Sequence, residues 1–379
     1  MSENKLKANN KSVNDRELNY EVLRILAMLM IVGLHYLSRS GAISNPENPD
    51  MSVVGYVSWL LEAFFLVATN VYVLISGYFG VEAGNNRKEK RFGILLKPLN
   101  VWVQVWFYSV VIGFGAFIVG AQQFDVYQFI NYILPITREH YWFATSYVIL
   151  CLFVPFLNYG FDKLEKKDIK ALLLVMLIIF CFSKTFIPIQ FPWDKYGYDF
   201  SWFVVLYITG AYIKKYGISA INGKGRALVL YIASCMVIYL SFFTIRLIYL
   251  RYGILEDQIN YGYTYNFLFC YLGAIGLFML FKNYNTDKST QEIGTRVPEW
   301  LKSVVLRFSR ATFGVYLIHE HINIRSNWIK LFNTEEALAG STIGFLFNFI
   351  VAVLSVYCVC SVIDIVRALL FEKISKLIK

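Results

Sequence analysis

Apolar residues run through this chain in blocks longer than most globular helices, and the polar residues gather in short connections between them. Crossing a bilayer as a helix takes roughly 20 mostly apolar residues. Ten segments approach or exceed that length: Leu18–Leu37, Val53–Phe79, Leu99–Gly120, Tyr141–Asn158, Ile169–Ile187, Phe200–Ile213, Ala227–Leu250, Tyr261–Phe281, Val304–Ile324 and Ser341–Leu369. The sixth is short, while the second and tenth are long enough to tilt or to begin outside the bilayer. Phe124–Pro135, "FDVYQFINYILP", is too short to cross and reads as a helix lying in the interface. The pattern predicts an all-α polytopic membrane protein, a bundle of about ten transmembrane helices. The domain plan that follows is a tail over residues 1–17, one transmembrane domain over 18–369 and a second tail over 370–379.

Composition supports the same class. Of the 379 residues, 57% are hydrophobic, 18% aromatic and only 16% charged, where a soluble domain carries about 25% charged residues. A net charge of +10 would by itself suggest an acidic partner. However, about three quarters of the 36 Lys and Arg fall in every second connection and in the two tails. That asymmetry predicts an even number of crossings with both termini cytoplasmic, and it leaves no basic-aromatic patch for nucleic acid. The six cysteines lie in apolar runs without a C-x-x-C pair, as core thiols do. The first sixteen residues are polar and basic, and no small-residue cleavage site follows the first apolar run, so the first helix is expected to be retained.

The informative residues are the ionisable ones inside the apolar runs, because each costs about 2.5–3.5 kcal/mol to place at a helix centre. Arg24 and His35 are eleven residues apart. On a helix this is three turns plus about 20°, so they share a face at a separation of roughly 16–17 Å. The expected topology puts Arg24 in the inner half and His35 in the outer half. His319, Glu320 and His321 fall in the outer half of the ninth segment, and Glu62 in the outer half of the second. A histidine at such a site is suited to act as general base on a hydroxyl, with a carboxylate holding its second nitrogen. Either Glu62 or Glu320 can fill that place. A zinc site built from His35, His319 and His321 is disfavoured, since positions 319 and 321 point about 200° apart on a helix, and no metal is expected. Arg91 and Lys97 border the third segment, where they anchor the cytoplasmic side and can meet a phosphate-bearing ligand.

Several strings resemble the membrane acyltransferase 3 family. "LRILAMLMIVGLH" carries its Arg-x10-His arrangement, "VYVLISGYFG" its second helix end, and "KPLNVWVQVWFYS" its basic approach to helix three. "YWFATSYVILCLFVPFLN", "WFVVLYITGAYI" and "FGVYLIHEHI" follow in the family's order, so the resemblance spans nearly the whole chain. It is nearest to members that O-acetylate bacterial surface glycans. The resemblance implies a multi-pass protein of the bacterial plasma membrane that takes acetyl-CoA from the cytoplasm. It would move the acetyl group to a glycan hydroxyl at the outer face, alongside other surface-polysaccharide enzymes. In that reading His35 is the catalytic base, or forms a transient acyl-imidazole, and Arg24 holds the donor. Arg91 and Lys97 lie near the family's basic motif, with Lys97 standing where many members have arginine. Glu62, His319 and Glu320 complete the candidate catalytic group. The fused outer hydrolase-like domain of some members is not expected here. A transporter or flippase for polysaccharide intermediates is the alternative class, weakened by the lack of an internal repeat.

Overall fold

The structure is a computed structural model and describes residues 18–43, 46, 49–85, 93–187, 189, 191–284 and 297–377. Among these residues the regular structure is all helical. In chain order the helices are α1 (Leu18–Arg39), α2 (Val53–Phe65), α3 (Val67–Asn85), α4 (Gly93–Ile118), α5 (Val126–Ile133), α6 (Trp142–Lys163) and α7 (Lys166–Leu177). They continue as α8 (Phe200–Tyr216), α9 (Lys224–Tyr252), α10 (Leu268–Tyr284), α11 (Glu299–His319), α12 (Thr334–Ala339) and α13 (Thr342–Leu377). A π-helical turn at Ile178–Phe182 and a short helix, Ser183–Phe186, extend α7.

Seven segments are long and apolar enough to cross a membrane, with Val53–Val81 counted as one. They mark a multi-pass membrane protein. Leu66, between α2 and α3, keeps helical torsions and donates its amide to the Glu62 carbonyl, so the break is slight. The other three expected crossings are also helical, but α8 and α10 have only 17 residues and α11 is less apolar. Their setting explains this. α8 and α10 are covered along most of their length by other helices, so neither needs the long greasy exterior that lipid demands. α7 and α9, by contrast, expose rows of leucine, valine and isoleucine such as Leu174, Val175, Val229 and Leu247.

The centre forms around α1, which touches α2, α3, α10, α11 and α13. α3 and α8 pack closely, backbone to backbone. A Cβ on Gly77 would meet the Tyr207 carbonyl oxygen at 2.0 Å, and one on Gly210 would meet the Leu74 carbonyl at 2.3 Å. Small residues are what allow membrane helices to approach backbone to backbone. The interfacial helix expected over 124–135 is α5, capped by Asp125, whose carboxylate accepts from the Gln128 amide at 3.1 Å. Five cysteines are buried as expected, but Cys358 is exposed on α13.

One boundary differs in a way that matters. The ninth segment, expected over 304–324, runs instead from Glu299 to His319. The Glu320 amide still bonds to the Tyr316 carbonyl at 3.1 Å, but the His321 amide reaches the Ile318 carbonyl, which tightens the last turn and ends the helix. His321 therefore leaves the helix and points where helical geometry would not have put it.

Candidate active site

Arg24 and His35 open onto one cavity of about 600 Å³, within the range of small-molecule sites. The cavity runs between α1, α3, α4, α6 and α11. Its walls are mostly apolar and aromatic, with Phe79, Phe143, Tyr147 and Tyr316 among them.

At the Arg24 end, polar groups converge. The Arg24 guanidinium donates to Glu21 one turn earlier, and Ser309 donates to the other Glu21 oxygen at 2.6 Å. Tyr72 donates to the Arg24 carbonyl at 2.6 Å, and the guanidinium carbon sits 5.7 Å from the centre of the Phe79 ring. Arg310 and Gln104 line the same end. The charge there is thus shared: Glu21 offsets Arg24, and Arg310 adds a second, exposed cation.

At the other end His35 meets α11. Its Nδ1 lies 2.8 Å from His319 Nε2, while His319 Nδ1 lies 2.6 Å from the Val315 carbonyl. A carbonyl only accepts, so His319 carries its proton on Nδ1. In the neutral ring Nε2 is then an acceptor and takes the proton of His35 Nδ1. His35 Nε2 is left with its lone pair. The Glu320 carboxylate stands 3.4 Å from His35 Nδ1 and is itself held by Arg39 at 3.2 Å. His35 lines the cavity, whereas His319, 1% exposed, sits behind it.

His35, His319 and Glu320 also form a group that could hold a metal, their candidate ligand atoms lying within 4.8 Å of one another. Two nitrogens on one tetrahedral zinc stand about 3.3 Å apart. The 2.8 Å between these two rings is a hydrogen-bond length, and Arg39 adds a positive charge beside the carboxylate. The arrangement suits proton handling better than a cation.

The remaining histidines belong to a brace. His321 Nε2 donates to the Ser109 carbonyl at 3.2 Å, and its Nδ1 accepts from the Asn323 amide at 3.2 Å. His140 Nε2 accepts from the Ile322 amide at 3.0 Å, leaving Nδ1 to donate to Ser109 Oγ at 3.3 Å. Burial holds His140 well below the usual imidazole range, at about 4, with Arg325 pushing the same way. All four ring nitrogens are used. The brace fixes the turn after α11 and with it Glu320.

Glu62 is not part of this group. No hydrogen bond or ion pair joins it to His35 among the described residues; it lies near Tyr198, Tyr263 and Tyr265. Arg91 lies outside the described residues; Lys97 falls on α4, and its side chain is likewise outside them. Among three tryptophans near these helices, Trp59 stacks on Phe242 and Trp202 donates to Asn70 in the core, while Trp142 lines the cavity. Arg39, Ser309 and Arg310 are residues that the sequence did not single out. The signal for Ser309 was a stripe at helical spacing: Ser309, Thr312, Phe313 and Tyr316 share a face.

The cavity thus holds Arg24 and Arg310 at one end and a hydrogen-bonded histidine at the other, inside a multi-pass helical bundle. The family model described as an acyltransferase domain, acyltransferase 3, matches residues 17–364, and the chain belongs to that family. Comparisons with curated proteins and with solved structures give no match.

Proposed function

We propose that the protein is an O-acyltransferase that moves an acetyl group from acetyl-CoA to a hydroxyl of a surface glycan. The observation that carries this is the single cavity joining Arg24 to His35. A pantetheine arm can bridge much of the roughly 16–17 Å that separates the two positions along a helix, so a donor held by Arg24 and Arg310, with Arg91 and Lys97, can bring its thioester to His35. In the step itself, the acceptor oxygen attacks the thioester carbonyl carbon while its proton passes to His35 Nε2. The carbon–sulfur bond breaks, and the departing thiolate takes that proton from His35. The His319 lock keeps Nε2 bare beforehand, and Glu320 steadies the imidazolium that forms. His319 and Glu320 are positioning residues in this scheme.

The reading includes ten crossings with both termini cytoplasmic, one transmembrane domain over 18–369 and a place in the bacterial plasma membrane. The alternating basic connections support that orientation. The test is acetyl transfer, followed by thiol release, from acetyl-CoA by the purified full chain. His35→Ala should lower kcat by roughly 10²–10⁴-fold, the usual worth of a general base. Full activity in the alanine variant would remove His35 from the chemistry.

A further inference from the structure

A second hollow, of about 930 Å³, opens beside the first, near the start of α6. Trp142 lines both. Its ring packs on Tyr198 at 4.5 Å and on Tyr265 at 5.4 Å, and those two tyrosines meet at 4.8 Å. Tyr265 faces the first hollow and Tyr198 the second, so three packed rings form the partition between them. This is the His35 end of the bundle. His140, two residues before Trp142, accepts from Ile322, three residues beyond the His319 ring that holds His35.

The chemistry of the second hollow is narrow. Phe191, Tyr196 and Tyr198 supply flat apolar surface, and Glu139 and Asp199 supply carboxylate acceptors. A sugar ring has apolar C–H faces and a rim of hydroxyl donors, which such a mixture fits. Two carboxylates face one ammonium, Lys195, because the third, Asp194, is already neutralised. Its partner is Lys184, 2% exposed, with Nζ 3.2 Å from Asp194 Oδ2. The same ammonium sits 3.4 Å from the centre of the Tyr261 ring and 4.0 Å from that of Tyr196. Asp194 Oδ1 also accepts from the Tyr196 amide and from Asn266, both at 2.8 Å. The wall is therefore built around a buried cation and is not a loose loop.

We infer that this hollow is the acceptor subsite and takes an uncharged sugar residue of a glycan, its hydroxyl meeting the donor thioester at the Trp142 partition. The inference rests on the acyltransferase reading above and names the acceptor class that reading leaves open. A polyanionic glycan is excluded by the carboxylates.

The test is isothermal titration of the full chain in detergent with tetramers of glucose, mannose and N-acetylglucosamine, and with tetramannuronate as the anionic probe. At least one neutral tetramer should bind. Phe191→Ala and Glu139→Gln should each weaken that binding tenfold or more, and tetramannuronate should bind at least tenfold more weakly than the neutral probe. Gel filtration and circular dichroism verify each variant's fold, and either folded variant suffices. The subsite is overturned if no neutral tetramer binds, if both folded variants bind like the parent, or if the anionic probe binds equally well. Neutral binding that obeys the substitutions without any acetyl-CoA turnover would sink the transfer chemistry and keep the subsite. Turnover with sugar binding indifferent to them would do the reverse.

Discussion

His319 has no face on the cavity, yet it decides which nitrogen of His35 is bare. Replacing it with phenylalanine keeps the ring volume and removes the acceptor for His35 Nδ1, so the imidazole is free to hold its proton on either nitrogen. We expect His319→Phe to lower kcat by roughly 10–100-fold while the KM for acetyl-CoA stays within twofold, measured by thiol release. A parallel rise in KM would mean that the substitution disturbs the donor cavity and that the lock is not its role. The Arg24–His35 relation was legible in the sequence because eleven residues return a helix to the same face. The partner of His35 was not. It depends on how α11 packs against α1, which no local pattern states. The turn that follows α11 is held by His140 and Ser109, contacts between segments far apart in the chain. For the same reason nothing local distinguished Glu320 from Glu62.

At the scale of elements, the cavity wall is set by how closely α3 lies against α8. The Leu74 carbonyl occupies the space that a side chain at position 210 would need, and a backbone atom cannot swing aside as a side-chain tip can. We predict that Gly210→Ala destabilises the folded protein by about 1–3 kcal/mol, the usual cost of overpacking, read as a lowered thermal midpoint in detergent. Gly115→Ala is the comparison, since nothing lies within 4 Å of the added carbon on α4; it should leave the midpoint unchanged or slightly raised. Equal losses in the two variants would show that the crossing does not depend on the absent Cβ. Hydropathy found the lipid-facing helices more securely than these interior ones. α7 and α9 face outward and must be apolar throughout, whereas α8 meets other helices on most sides, and its glycine and aromatic residues reflect packing against protein.

At the scale of the whole molecule, donor and acceptor come from opposite sides only if the short interior helices cross the membrane like the long ones. A 17-residue helix spans about 25 Å, a little under the hydrocarbon thickness of roughly 30 Å. α8 nevertheless has Asp199 at its start and Lys214 and Lys215 in its last turn, so charged groups mark both of its ends. The connection before α8 and the connection after it should then lie on opposite sides. Lys195 and Ser219 are exposed in those two connections, and a cysteine at either can be labelled in sealed vesicles with a maleimide that does not cross membranes. In a Cys358→Ser background, which removes the exposed native thiol, Lys195→Cys should react from the outer side in right-side-out vesicles. Ser219→Cys should react only after permeabilisation. Labelling of both from one side would mean that α8 does not carry the chain across. The even count of crossings that sets a cytoplasmic donor against an external hydroxyl would then fail, whatever the activity of the isolated site.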